Sequence, residues 1–431
     1  MWFIALAALA ATACAASGAA HSRSAAPRTA EGNDNPGHPR MRALSDSVRH
    51  VLDRALHDSA FPGAYAVVGN HAGVIASYGV GRLDWRPSPV PDDTTLWDLA
   101  SLTKVVGLTT AMMQLVDAGR VSLAAPVQRY LPEWTGPGKD RVTVRDLLTH
   151  SSGLPAWRPL YDHATTSSDA LALVYATPLD TVPGARMVYS DLGAILLGQI
   201  VARVSGEPLD RYLARHLFEP LGMRSTGYRP DPALRARTAP TEYDPRRGRQ
   251  AWGEVHDENA YLLGGVSAHA GLFSTARDLT RFARMYLSGG ELDGRRIVST
   301  AAITEFTRVP DPGLSHRALG WETPDGENSA GHRMSPHAFG HTGFTGTSLW
   351  IDPAHDAFVL LLSNRVNPTR ENRRIRGVRV QLADAVMAAL GAPLAIAPTP
   401  PSARSSSTPT SAPPSAPRSA PTSSPSTGQR P

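Results

Sequence analysis

Cysteine is nearly missing from this 431-residue chain. Cys14 stands alone, so no internal disulfide can form. Lysine is almost as scarce: of 43 basic side chains, only Lys104 and Lys139 are lysines. Arginine keeps its proton at any workable pH, whereas lysine can be tuned to exchange one. A lysine with a chemical task is one that a drift toward arginine cannot replace. The chain has no Gly-x-Ser-x-Gly elbow, which removes the support for an α/β-hydrolase. It also has no internal repeat. Residues 397–431 contain no acid, no aromatic and no large aliphatic side chain, and ten prolines. Nothing in that segment can drive folding, and it reads as a disordered Pro/Ser/Thr/Ala tail.

The formal charge of +5 and a pI near 9.5 would suggest an acidic partner, but its distribution does not. The tail carries Arg404, Arg418 and Arg430; the first 42 residues carry four arginines against Glu31 and Asp34. The stretch between them, 43–396, is neutral, so no basic footprint for nucleic acid is present in the folding part. Residues 2–13 are apolar and small, the length of a signal-peptide core and too short to span a bilayer. Ala11-Thr12-Ala13 satisfies the small-x-small cleavage rule, and Cys14 follows directly. This resembles a bacterial lipoprotein box, with Ala11 where leucine is usual. Residues 1–14 are therefore expected to direct export and Cys14 to take a lipid. Residues 15–42 read as a linker. The expected location is outside the cytoplasm, with the membrane met only through that lipid.

The segment 43–396 alternates between two patterns. Leu44–Leu56 has a helical period, and Gly63–Gly69 and Gly73–Gly79 read as strands joined by Asn70-His71-Ala72. Thr103–Ala118 reads as a long helix stopped by Gly119. Helices are then expected at Val144–Leu148, Ser168–Ala176, Leu192–Ser205, Leu209–Phe218 and Ser274–Leu287. Thr347–Ile351 and Ala357–Ser363 read as strands, and Arg379–Leu390 as a closing helix. The order implies an α/β (α+β) domain built from both ends, with a mostly helical insertion at about 120–265.

Ser101-Leu-Thr-Lys104 enters the long helix, and residues three apart share a helical face. A serine hydroxyl needs a partner to take its proton. A lysine at a helix start has its charged form disfavoured, which fits it to accept or relay that proton. Two further segments fit the same chemistry. Tyr189-Ser-Asp191 offers a phenol which, near a lysine cation, is expected to hold a depressed pKa and serve as base. His341-Thr342-Gly343 offers an edge strand for a substrate to lie along. The Ser101 and Phe344 amides are candidates for a two-donor oxyanion hole.

These three motifs, in this order, resemble the beta-lactamase-related serine hydrolases: class C beta-lactamases, serine D-alanyl-D-alanine carboxypeptidases and their esterase relatives. Val142–Pro155, Glu219–Met223 and Gly271–Leu279 are similar as well, and the likeness covers about 43–393. The resemblance implies an antiparallel sheet flanked by helices. It implies Ser101 as the acylated nucleophile, Lys104 as its proton partner and Tyr189 as base in acylation and deacylation. It implies the oxyanion hole at Ser101 and Phe344, substrate contacts at Asp191, His341, Thr342 and Gly343, and no cofactor or metal. Glu254–Asn259 with His269 matches no metal-ligand spacing, and Trp157 is expected in the cleft wall.

Two departures narrow the activity. The second motif usually ends in asparagine, and Asp191 when ionised can only accept hydrogen bonds. It can instead pair with Lys104 and hold it charged, favouring tyrosine as the base. The third motif begins with His341, where class C beta-lactamases carry lysine, and a histidine is mostly neutral at pH 7. Both disfavour efficient beta-lactam hydrolysis. The leading expectation is a D-alanyl-D-alanine carboxypeptidase-like or penicillin-binding-protein-like enzyme acting on a small-molecule, peptide or ester substrate, with peptidoglycan as the envelope partner. A carboxylesterase comes next, then a beta-lactamase. The rival of another class is a silent envelope-binding protein.

Overall fold

Why both faces of a five-stranded sheet are covered follows from its strands. In the computed structural model, which describes residues 39–325 and 328–392, the strands are β1 (Gly63–Gly69), β2 (Val74–Gly81), β3 (Phe339–Thr342), β4 (Ser348–Asp352) and β5 (Ala357–Ser363). They pair antiparallel in the order β3-β4-β5-β1-β2. Every residue of β5 is buried, so neither face meets water. Alternate residues divide between two cores. Ala64, Ala66, Val68, Trp350, Val359 and Leu361 face helices α1 (Pro39–His57) and α5 (Ile375–Ala389). Val67, Leu349, Ile351, Phe358, Leu360 and Leu362 join the larger core on the other side.

That larger core takes in the helical insertion. It runs without a break through α2 (Thr110–Asp117), α3 (Asp191–Ser205) and α4 (Ala276–Leu287). Three further helices, Val144–Leu148, Ser167–Ala176 and Leu209–Leu213, belong to it as well. Local sequence sets where several of these start. Thr143 makes a capping box with Asp146, and Thr275 and Ser190 cap α4 and α3 by accepting the Asp278 and Gly193 amides. The expected α/β architecture with an antiparallel sheet is observed.

Some expectations moved. The closing helix begins at Ile375 rather than Arg379, and the first at Pro39 rather than Leu44, which takes residues 39–42 out of the expected linker. The expected single helix after Ser101 is a composite. A 3-10 turn at Ala100–Leu102 leads into a π-helical stretch at Lys104–Thr109, and only then into α2. Apolar spacing cannot distinguish these windings. The helix at Thr300–Thr307 and the short strands Trp97–Asp98 and Leu272–Ser274 were not expected. The leader, Cys14 and the 397–431 tail lie outside the described residues.

The sheet edge is pinned to the segment before Ser101. The Thr345 hydroxyl donates to the Asp98 carbonyl at 2.7 Å, and the Thr347 hydroxyl to the Leu99 carbonyl at 3.0 Å, both buried. Gly343 has to be glycine in this packing: a Cβ there would stand 2.1 Å from Thr347 Oγ1 and 2.3 Å from the Leu99 oxygen. Thr347→Val keeps the shape but strips the hydroxyl from a buried bond. It is expected to cost about 1–3 kcal/mol in a denaturant melt. An unchanged midpoint would show that the pin carries no load.

Candidate active site

The turn that carries Ser101 is held in an uncommon conformation. Ala100 has φ +45° and is not glycine. Buried Asp98 sustains it: one carboxylate oxygen accepts the Ala100 N–H at 2.8 Å and the other the His256 N–H at 2.6 Å. Burial raises the Asp98 pKa despite those two bonds.

Lys104 lies beneath Ser101 with only 2 % of its surface exposed. Its Nζ donates to Ser101 Oγ at 3.0 Å and to the His269 carbonyl at 2.9 Å. Asp191 Oδ1 is 2.7 Å from the same nitrogen. Asp191 is the first residue of α3, where the helix dipole favours an anion. Burial alone would push the lysine down, but Asp191 and Tyr189 outweigh it and hold Lys104 well above its ordinary value. The helix-start argument, which disfavoured the charged lysine, loses to this adjacent carboxylate.

Tyr189 sits between two histidine rings, with His150 at 4.6 Å and His341 at 5.8 Å between centroids. Lys104 Nζ is 5.0 Å from its ring centre and Arg317 Cζ 5.3 Å. The depressed phenol expected from the sequence is not found: Tyr189 is raised. Burial raises it most; Lys104 lowers it, but Asp191 partly cancels that. The resting pair is an ammonium and a neutral phenol.

His341 is fully buried, and its Nδ1 lies 2.8 Å from the Thr342 carbonyl, a donor geometry that leaves Nε2 unprotonated in the neutral ring. Burial, helped by Arg317 and Lys104 and opposed by Glu322, lowers it to about 4. It is uncharged at neutral pH, in keeping with the expectation for this position.

One cleft of about 560 Å³ is lined by Ser101, Tyr189, His341, Thr342, Gly343 and Phe344. Asp191 is not among its lining residues; its carboxylate is spent on Lys104. Trp157 is not there either: it is exposed and faces Tyr161 at 6.0 Å. The segment Glu254–Asn259 turns inward. Asp257 Oδ1 is 2.9 Å from His269 Nε2, and His269 Nδ1 is 2.7 Å from Ser267 Oγ. Asp191, Asp257 and His269 place ligand-type atoms within 4.8 Å of one another, a grouping that sequence spacing did not show. Lys104 already answers Asp191 there, and His269 answers Asp257.

Sequence reasoning missed two features. His150, at φ +58°, accepts the Val188 N–H on its carbonyl at 2.7 Å and the Ser190 N–H on Nδ1 at 3.1 Å, so it grips the backbone on both sides of Tyr189. The second is arginine. Arg317, Arg365, Arg370, Arg373, Arg376 and Arg379 line the same cleft, against Glu322 and Glu371. The arginine-dense run from Arg370 to Arg379 was visible, but nothing in its spacing placed it beside Ser101.

With this geometry in place, the kinship is clear. The Beta-lactamase family profile matches residues 48–384. The chain is 31% identical over 312 residues to a "Putative D-alanyl-D-alanine carboxypeptidase" of Salmonella agona (strain SL483), covering 65% of this chain and 72% of that one. A protein of the same description from Salmonella schwarzengrund (strain CVM19633) is 32% identical over the same shares. Among solved structures, a penicillin-binding protein homolog from Caulobacter crescentus aligns with TM-score 0.64 at 24% identity, over 82% of this chain and 98% of that one. The hydrolase EstCE1, with promiscuous acyltransferase activity, aligns with TM-score 0.67 at 21% identity, over 80% and 99%. The chain belongs to the beta-lactamase family, and it is a serine hydrolase of that fold.

The depressed His341 has a measurable consequence. Its unfolded form binds a proton below about pH 6.5, and its folded form only below about 4. The stability it contributes is therefore complete above about 6.5 and is lost as pH falls toward 4, by up to about 3 kcal/mol. Denaturant melts are expected to show wild type weakening more steeply than His341→Gln across that window. Parallel curves would place the His341 pKa near its ordinary value.

Proposed function

We propose that this protein is an exported serine hydrolase of the D-alanyl-D-alanine carboxypeptidase type, working through an acyl-enzyme on Ser101. The observation that carries this reading is Lys104 Nζ, shared between Ser101 Oγ at 3.0 Å and Asp191 at 2.7 Å. Ser101 Oγ attacks the substrate carbonyl, and its proton passes to the Tyr189 oxygen as Tyr189 hands its own to the leaving nitrogen. The C–N bond breaks, the ester to Ser101 forms, and the amine leaves neutral. Water then attacks the ester, and the same shuttle returns a proton to Ser101 Oγ. Lys104 stays an ammonium throughout and stabilises negative charge on the two oxygens. The Ser101 and Phe344 amides receive the charge on the carbonyl oxygen. A neutral Tyr189 suits a shuttle, which gains and loses a proton in one step, better than a standing phenolate.

The cleft supports a substrate that ends in a carboxylate. Arg317 keeps Nε and one terminal nitrogen buried without a hydrogen-bond partner, beside Tyr189 and His341. The cleft as a whole carries six arginines against Glu322 and Glu371, Arg317 being paired with Glu322 at 3.2 Å, and that excess of cations suits a carboxylate. The curated relatives are named as carboxypeptidases, which fits. A carboxylesterase is the second reading, favoured by the uncharged His341. The same proposal puts the enzyme in the cell envelope, anchored by a lipid on Cys14 and facing peptidoglycan.

A fluorescent penicillin and a fluorophosphonate probe, applied to the wild type and to Ser101→Ala, separate these readings. Labelling by both, lost in the variant, is the expected result. Fluorophosphonate labelling alone would move the assignment to an esterase, and labelling by neither would end the enzyme reading.

A further inference from the structure

Arg379 is a buried cation that the proposed mechanism does not use. It rises from the first turns of α5, whose start lines the same cleft as Ser101, and has no carboxylate within ion-pair distance among the described residues. Its Nη2 donates instead to two backbone carbonyls, Gly343 at 2.7 Å and Thr347 at 2.8 Å. Burying a guanidinium on neutral acceptors alone is expensive, and burial pulls its pKa down to about 10. It is still charged at neutral pH.

The carbonyl it holds is not an arbitrary one. The Gly343 oxygen and the Phe344 N–H belong to one peptide group. In a planar trans peptide the oxygen and the hydrogen point in opposite directions. A cation fixed on the oxygen therefore sets the Phe344 N–H pointing away from the Arg379 guanidinium, within a cleft that Ser101, Phe344 and Arg379 all line. That N–H has no acceptor among the described residues. A charge-assisted bond at the oxygen also polarises the peptide and strengthens its N–H as a donor. Backbone bonds close this turn, the Gly343 N–H donating to the Thr347 carbonyl at 2.7 Å and the Gly346 N–H to the Gly343 carbonyl at 3.1 Å, and the guanidinium adds a charged donor to both carbonyls. A second buried arginine, Arg365, donates from Nε to the Phe344 carbonyl at 2.8 Å, one peptide further on.

We infer that Arg379 is the positioning residue of the oxyanion hole: through the Gly343 carbonyl it orients and polarises the Phe344 N–H. The inference rests on the reading of Ser101 as nucleophile. The hole stabilises charge that exists only in the transition state, so the role predicts where the loss falls. Arg379→Met is expected to lower kcat for an activated aryl ester about 10- to 100-fold with KM nearly unchanged. It is expected to weaken an aryl boronic acid, which forms a tetrahedral adduct on Ser101, by a similar factor. Arg379→Lys keeps the charge but not the fork. It is expected to recover much of both quantities, and thermal melts of each variant check the fold. If Arg379→Met does not fold, Arg379→Lys decides: a several-fold loss shared by kcat and boronate affinity supports the role.

Parallel losses in kcat and boronate affinity uphold the inference. A loss confined to KM, or an Arg379→Met that folds and matches the wild type in kcat and boronate affinity, would overturn it, as would an Arg379→Lys that matches the wild type where Arg379→Met does not fold. A wild type that fluorophosphonate labels at Ser101 while Arg379 proves indifferent defeats this inference alone. A wild type that neither turns over nor labels defeats the nucleophile reading, and this inference with it.

Discussion

Lys104 holds a charge where a lone ammonium would be costly, and Asp191 makes that possible. With 2 % of its surface exposed, the lysine has lost most of its hydration, and the carboxylate 2.7 Å away supplies the compensating charge. Burying a charge pair in this way gains little stability by itself, but it fixes where both groups stand. Ser101 Oγ receives one of the ammonium hydrogens, the His269 carbonyl a second, and Asp191 the third direction. Two hydrogen bonds and one ion pair thereby set where the ammonium stands. The neutral phenol of Tyr189 comes mainly from its burial, and the aspartate that keeps Lys104 charged also resists ionisation of this neighbour.

Around that pair the backbone is arranged by buried polar bonds between segments far apart in sequence. Asp98 holds the strained Ala100 turn, Thr345 and Thr347 tie that turn to the sheet edge, and Arg379 holds the Gly343 and Thr347 carbonyls of that edge. His150 brackets Tyr189 on both sides. Each is a buried group that makes hydrogen bonds to backbone, though Arg379 leaves its Nε without a partner, and such groups confer geometry at the cost of desolvation. The atoms that line the site thus come from two ends of the chain and from the insertion. They meet because the sheet is assembled from both ends while the insertion shares its core.

What could be read in advance follows from the range of each interaction. Strands β1 and β5 fell on their expected residues, because their bounds are set by short apolar runs ended by turns. Lys104 and Ser101 were legible because three residues of helical winding bring them together whichever winding is used. Asp191 on Lys104 was legible from charge alone. The phenol's direction was not, since it depends on how burial and two opposite charges balance at one oxygen. Neither the cleft arginines nor the hold of Arg379 on Gly343 could be found by spacing. They depend on α5 meeting a turn more than thirty residues earlier in the chain. Trp157 was misplaced for the same reason: a turn signal gives the bend but not the neighbour.

The scarcity of lysine makes the central charge directly observable. Lysine labelled with 13C and 15N will give only two side-chain environments, Lys104 and Lys139. Lys139 provides an internal contrast: burial without a carboxylate partner lowers its pKa. A pH titration by NMR is predicted to show one lysine Nζ deprotonating below the ordinary range. The other is predicted to remain an ammonium as far into alkali as the fold survives, and to lose that resistance in Asp191→Asn. A Lys104 signal that reports a neutral amine at pH 7 to 8 would contradict the account and would return the base to the lysine.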